Sequence, residues 1–182
     1  MAHSAVQIFI SYARADDEPA SGAPDAIGFV EFLYRGLDGR FKRCGSRRPL
    51  IWRYVDHTSP GEPFARRLEA ELRKSSLLLV VMSRNWMASK YCRQELKYFE
   101  EYRKRIGEAA GERIVIVEKT AADLGRCRLG PGRAAPAANG DEHVLDHLYA
   151  ALLKTTKRLG SRNARALPAR RNRALKSRVR SM

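Results

Sequence analysis

The sequence predicts a doubly wound α/β domain, and three observations carry that prediction. Four short apolar runs, Val6–Ile10, Leu50–Val55, Leu77–Met82 and Ile114–Val117, alternate with segments of helical spacing in the order β-α-β-α-β-α-β. The last two runs hold no polar side chain, as strands buried on both faces do. The connections are long enough for helical crossovers, which make neighbouring strands parallel and put helices on both faces of the sheet. A flavodoxin-like strand order with the third and fourth strands in the middle is the expected arrangement.

The elements follow in chain order. The first strand runs into Ser11-Tyr12-Ala13-Arg14-Ala15-Asp16-Asp17 and then into Glu18–Pro24, whose Pro, Gly, Ala and Ser read as loop. Asp25 is placed to cap a helix carrying Ile27, Val30, Phe32, Leu33 and Leu37 and ending near Gly39. After the second strand, Ser59, Pro60 and Glu62 have the spacing of a capping box with proline at the first helical position. The helix beyond them carries Phe64, Leu68 and Leu72 on one stripe. The third strand empties through Ser83–Ser89 into a helix from Lys90 to Ile106. Beyond Lys119 the pattern weakens: residues 121–141 read as irregular, and helical spacing returns over 142–159 through Val144, Leu148 and Leu152. Residues 1–159 are thus expected as one domain, and 160–182 as a basic tail that is disordered in isolation.

Composition bounds the function. The 182 residues are 44% hydrophobic, enough for a packed core, yet no apolar run reaches the roughly 18 residues of a membrane span. The first residues lack the basic and apolar regions of a signal peptide. Cys44, Cys92 and Cys127 are odd in number and show no Cys-x-x-Cys spacing, so a cytoplasmic setting is expected rather than a disulfide scaffold or a zinc site. The formal charge is +15, and Ser161–Met182 alone holds eight Lys/Arg without an Asp or Glu. Such a tail suits weak polyanion contact or simple solvation. With no aromatic residue in it, base stacking is not supported.

Several chemistries are missing from the motifs. There is no Gly-x-x-x-x-Gly-Lys-Ser/Thr loop, no Gly-x-Gly-x-x-Gly after the first strand, and no Gly-x-Ser-x-Gly elbow. His143 and His147, with Glu142 and Asp146 beside them, fit a solvated helix face better than a metal. Cys92 repeats with Leu96 and Phe99 as a packing position. What remains lies at the carboxyl ends of strands, where open α/β sheets bind ligands: the Ser11–Arg14 turn, the Asp56–Phe64 loop, Ser83, Trp86, Tyr91 and Glu95. Glu95 follows Tyr91 by four residues, so ring and carboxylate share a helix face. Each has a plainer alternative: Ser11 and Ser83 as helix caps, Arg14 as a solvated loop residue, Tyr91 as packing, and Glu95 as the partner of a nearby Lys or Arg.

Three blocks in order give these residues a common context: Phe9-Ile10-Ser11-Tyr12-x-x-x-Asp16, Asp56-x-x-x-Pro60-Gly61-x-x-Phe64, and Ser83-x-x-Trp86-x-x-Ser89-x-Tyr91-Cys92-x-x-Glu95-Leu96. Together they resemble a Toll/interleukin-receptor (TIR) domain of the bacterial kind over about Val6–Thr120. The resemblance implies that Glu95 is the glutamate that catalytic members need to cleave the nicotinamide–ribose bond of NAD. It further implies that Tyr91, where tryptophan is usual, lines the nucleotide pocket, and that Tyr12, Ala13 and Arg14 contact the dinucleotide, with Ser83 beside them. The loop with Asp56, Ser59, Pro60, Gly61 and Phe64 matches the family's BB loop, which takes part in TIR–TIR assembly.

Two functions follow from the resemblance. One is an NAD glycohydrolase, with NAD as substrate and neither cofactor nor metal, activated by association with other TIR domains and answering to a separate sensor protein. The other is a non-enzymatic TIR scaffold. Loss of nicotinamide leaves oxocarbenium character on the ribose, and the pyridine departs as a neutral base, so one well-placed carboxylate suffices.

Overall fold

The computed structural model of the chain describes residues 6–19, 27–43, 48–54, 64–119, 126–128 and 145–159. Its five-stranded sheet has the order β2-β1-β3-β4-β5, with β1 Gln7–Ser11, β2 Leu50–Trp52, β3 Leu77–Met82, β4 Ile114–Glu118 and β5 Arg126–Arg128. The first four strands are parallel, and β5 pairs antiparallel with β4 through Ile116↔Arg128 and Glu118↔Arg126. The doubly wound reading holds. From β1 the chain crosses to β2 on one side and then to β3 on the other, so the strand order reverses between β1 and β3. That is the switch point at which a crevice opens beyond the strand ends.

The two faces of the sheet are sorted by the period of two in β1 and β3. Ile8, Ile10, Leu77, Leu79 and Val81 face a core completed by α1 (Phe29–Lys42) and by the helix of residues 145–159, α5, through Leu145, Leu148 and Leu152. Phe9, Leu78 and Val80 face the opposite core, with Trp52, Leu72 of α2 (Phe64–Lys74), Trp86 of α3 (Arg84–Ala88), and Cys92 and Phe99 of α4 (Lys90–Arg105). β3 lies at the centre, as expected. In β4 only alternate residues, Val115 and Val117, are fully buried; one strand from the edge, its other face is less covered.

Several expectations are refined. Asp25 lies outside the described residues, and α1 starts at Phe29, after Gly28, which has no side chain to cap it. The cap comes from the loop after β1: the Glu31 amide donates to Oδ1 of Asp17 at 2.7 Å. Helix α1 also runs through Gly36 and Gly39 to Lys42 rather than ending near Gly39. β2 stops at Trp52 because Arg53 turns inward, where its guanidinium pairs with Glu31 and stacks 4.1 Å from the Tyr34 ring centroid. The helix expected from Lys90 is present as α4, and the Ser83–Ser89 turn before it holds a further short helix, α3. Ser83 caps α3 and Ser89 caps α4, so the chain turns sharply between them. β5 falls within the stretch expected to be irregular. The capping box at Ser59, the BB-loop residues Asp56, Ser59, Pro60 and Gly61, and the basic tail lie outside the described residues; Phe64 is the first residue of α2.

Gly28 is demanded by close approach. A Cβ there would lie 1.7 Å from the backbone oxygen of Asp17. Gly28→Ala is therefore expected to push α1 off its Asp17 cap and destabilise the fold by about 2–3 kcal/mol, read as a lower urea midpoint with an unchanged slope.

Candidate functional site

The carboxyl ends of β1 and β3 bring five residues, Ser11, Asp16, Ser83, Trp86 and Glu95, into one connected set. Ser11 ends β1 and is 1% exposed. Its Oγ donates to Oε2 of Glu95 at 2.6 Å and accepts from the indole Nε1 of Trp86 at 3.0 Å. Trp86, 4% exposed, is fixed at its backbone as well, since its amide donates to Oγ of Ser83 at 2.9 Å. The Ser83 hydroxyl in turn donates to Oδ2 of Asp16 at 2.5 Å.

Asp16 is the hub of the set. It sits in a single 3-10 turn, Arg14–Asp16, and is 1% exposed. Its Oδ1 accepts from Nδ2 of Asn85 at 3.1 Å, while Nζ of Lys119 lies 3.8 Å from Oδ1 and donates to the Asp16 carbonyl at 2.8 Å. One carboxylate thus ties the loop after β1 to the ends of β3 and β4. A buried charge survives only where it is paired and hydrogen-bonded in this way.

Glu95 is in a different electrical setting. Burial raises its pKa to about 7, and the hydroxyl of Ser11 works against that rise by favouring the ionised form. Among the described residues no Lys or Arg pairs with it, so the reading of Glu95 as half of a surface ion pair is corrected; its partner is Ser11. Its second oxygen, Oε1, has no protein partner among those residues, and it is not one of the buried unpaired polar atoms. One carboxylate oxygen is therefore held by the protein, and the other has no hydrogen-bond partner among the described residues. Cys92, one turn earlier and 3% exposed, donates its thiol to the carbonyl of Tyr12 at 3.4 Å. Burial holds its pKa above the usual thiol value, which fits the packing role expected of it.

The remaining sequence candidates distribute as follows. Ala13 is nearly buried against the Trp86 core, Tyr12 is half-buried, and Arg14 is exposed on the same loop. Tyr91 is 68% exposed, one helical turn before Glu95. Ser83 caps a helix, as its plainer reading had it, and also anchors Asp16. Ser11 caps no helix: the turn after β1 has Ala13 at its start and no side-chain cap. The residues that sequence reasoning left without a role are Asp16, Asn85 and Lys119. Asp16 stood in the first motif, but its partners lie 67 to 103 positions away, and no local spacing could disclose them. No group of three or more metal-ligating side chains occurs among the described residues, and none of their helices is long and apolar enough to cross a membrane.

Fold and site together define a doubly wound α/β domain whose switch-point edge presents one glutamate, gripped at one oxygen. A family model described as the TIR domain matches residues 34–128, slightly more than half of the chain, and the protein belongs to that family. The matched span includes Ser83, Trp86, Tyr91 and Glu95, while Ser11 and Asp16 precede it and join the site through the contacts above. No curated protein matches the chain.

Proposed function

We propose that the protein is an NAD glycohydrolase of the bacterial TIR type, cytoplasmic, activated by association with further TIR domains and serving defence or effector signalling. The observation that carries this reading is Glu95. Its carboxylate stands at the sheet's switch point, with Oε2 fixed by Ser11 and Oε1 without a hydrogen-bond partner among the described residues.

In this reading the Glu95 carboxylate faces the nicotinamide riboside. As the C–N bond breaks, its electron pair leaves with the pyridine nitrogen, and nicotinamide departs as a neutral base. Positive charge grows on the ribose, where a carboxylate in a water-poor site stabilises it more than it stabilises the ground state. Water then supplies oxygen to the anomeric carbon and loses a proton, giving ADP-ribose. Arg14, exposed on the loop after β1, serves the pyrophosphate together with Tyr12 and Ala13, and the exposed ring of Tyr91 offers a stacking face.

The raised pKa gives this chemistry a pH signature. Below about 7 the carboxyl of the free enzyme is protonated and cannot answer the developing cation. The expected kcat/KM for NAD therefore rises about tenfold per pH unit up to about 7 and levels off above it. Bound NAD brings its own pyridinium charge beside the carboxylate, which favours ionisation, so the rise in kcat should sit at lower pH than that in kcat/KM.

The second reading, a TIR scaffold without turnover, draws on the exposed apolar side chains of Met87 and Tyr91 beside the site, 54% and 68% exposed. The two readings part in one assay. Concentrated protein is incubated with NAD, with and without a crowding agent, and free nicotinamide is followed. Release of nicotinamide supports the enzyme; its absence under both conditions leaves the scaffold.

A further inference from the structure

We propose that Ser11 and Trp86 are positioning residues for Glu95: the indole N–H of Trp86 orients the Ser11 hydroxyl so that its proton is given to Oε2, which holds the carboxylate with Oε1 toward the substrate. The proposal rests on the enzyme reading above for its purpose, but its geometry is independent of that reading.

An indole N–H only donates, and a serine hydroxyl has one proton and two lone pairs. Because Nε1 of Trp86 points at Oγ of Ser11 from 3.0 Å, the hydroxyl proton cannot point back along that line. The acceptor on the other side is Oε2 of Glu95 at 2.6 Å, a length typical of an O–H donor to a carboxylate. Ser11 is 1% exposed, so water does not compete for either contact. The rotor of an otherwise free hydroxyl is thereby set.

Trp86 is equally constrained. Its ring lies in the core beside Phe9, Leu78 and Cys92, and its amide is tied to Ser83, which is tied to Asp16. The connection runs unbroken from Asp16 through Ser83, Trp86 and Ser11 to Glu95, joining the loop after β1, the end of β3, α3 and α4. Among the described residues, the charged and titratable groups around the carboxylate are few. Cys92 sits one turn back on α4, Asp16 lies on the loop after β1, and Lys119 after β4 is engaged by Asp16. From α2, Arg73 reaches Tyr98 farther along α4 rather than Glu95. Ser11 is therefore the group whose removal should act most directly on Glu95.

The test is a direct titration of Glu95 in the full chain, following side-chain carboxyl carbons by NMR with glutamate labelled at Cδ and Glu95→Gln used for assignment. Ser11→Ala should move the Glu95 midpoint up by about one pH unit, because a bond favouring the ionised form is lost. Trp86→Phe should move it up by roughly half as much, since the hydroxyl remains but is no longer oriented. Ser11→Thr, which keeps a hydroxyl, should return the midpoint to within about 0.2 units of wild type. If wild type releases nicotinamide, Ser11→Ala should lower kcat about tenfold, leave KM within about twofold, and shift the acid limb to higher pH. An unchanged midpoint in Ser11→Ala overturns the proposal, and an unchanged midpoint in Trp86→Phe alone removes Trp86 from it. A wild type that releases no nicotinamide overturns the enzyme reading, while the titration still decides the positioning.

Discussion

Glu95→Gln should make the protein more stable above neutral pH, not less. The folded-state pKa of Glu95 is raised from 4.5 to about 7, so the native state holds its proton more tightly than the unfolded chain does. For a carboxyl of this kind, ionisation penalises the folded state. The penalty is absent below about pH 4.5, grows as pH rises toward 7, and is complete above it. A shift of that size corresponds to about 3 kcal/mol at pH 8. Glutamine keeps the shape, has an oxygen to accept from Ser11, and carries no charge to desolvate. Urea unfolding at pH 8 should show Glu95→Gln more stable than wild type by about 2–3 kcal/mol. At pH 4.5 or below the two should unfold together. A variant less stable than wild type at pH 8 would mean that the carboxylate is a structural asset, which is contrary to its role as a strained functional group.

Asp16→Ala should do the opposite and cost about 3–4 kcal/mol at neutral pH. The carboxylate is 1% exposed and accepts from Ser83 and Asn85, with Lys119 beside it. Removing it strands the Ser83 hydroxyl and leaves the Lys119 ammonium without its counter-charge. The loss also loosens Ser83, which caps α3 through the Trp86 amide, and so reaches the Ser11–Glu95 bond. Urea unfolding at pH 7 measures the stability, and the near-ultraviolet circular dichroism of Trp86 should weaken even in the folded variant. A loss below about 1 kcal/mol would place Asp16 among ordinary surface carboxylates.

The two carboxylates show how far sequence alone could reach. β3 was legible because six apolar residues in a row, Leu77–Met82, admit few other readings. Glu95 and Ser83 were legible as positions at a strand's carboxyl end, and motif spacing gave them company. What makes Glu95 unusual was not legible, because its partner Ser11 is 84 residues away and its burial depends on how α4 lies on the sheet. The start of α1 was misplaced for a similar reason. A local cap at Asp25 was expected, whereas the cap is Asp17, supplied from across a loop to the Glu31 amide. β2 came out shorter than its apolar run because Arg53 left the strand for a side-chain partner, Glu31. β5, three residues including two arginines, has no apolar period to announce it; its pairing with β4 is what defines it. Periodicity reports which faces are buried, while polar contacts across the fold decide where elements stop and what their side chains do.

In the proposed reaction one carboxylate, Glu95, acts on the nicotinamide–ribose bond. The most direct measurement is nicotinamide release from NAD by wild type and Glu95→Gln, prepared together and assayed concentrated at pH 8. There Glu95 is ionised and the variant is at least as stable as wild type. The expected result is steady release by wild type and a loss of more than about a hundredfold in the variant, with circular dichroism unchanged. Equal release by both proteins would contradict the claim.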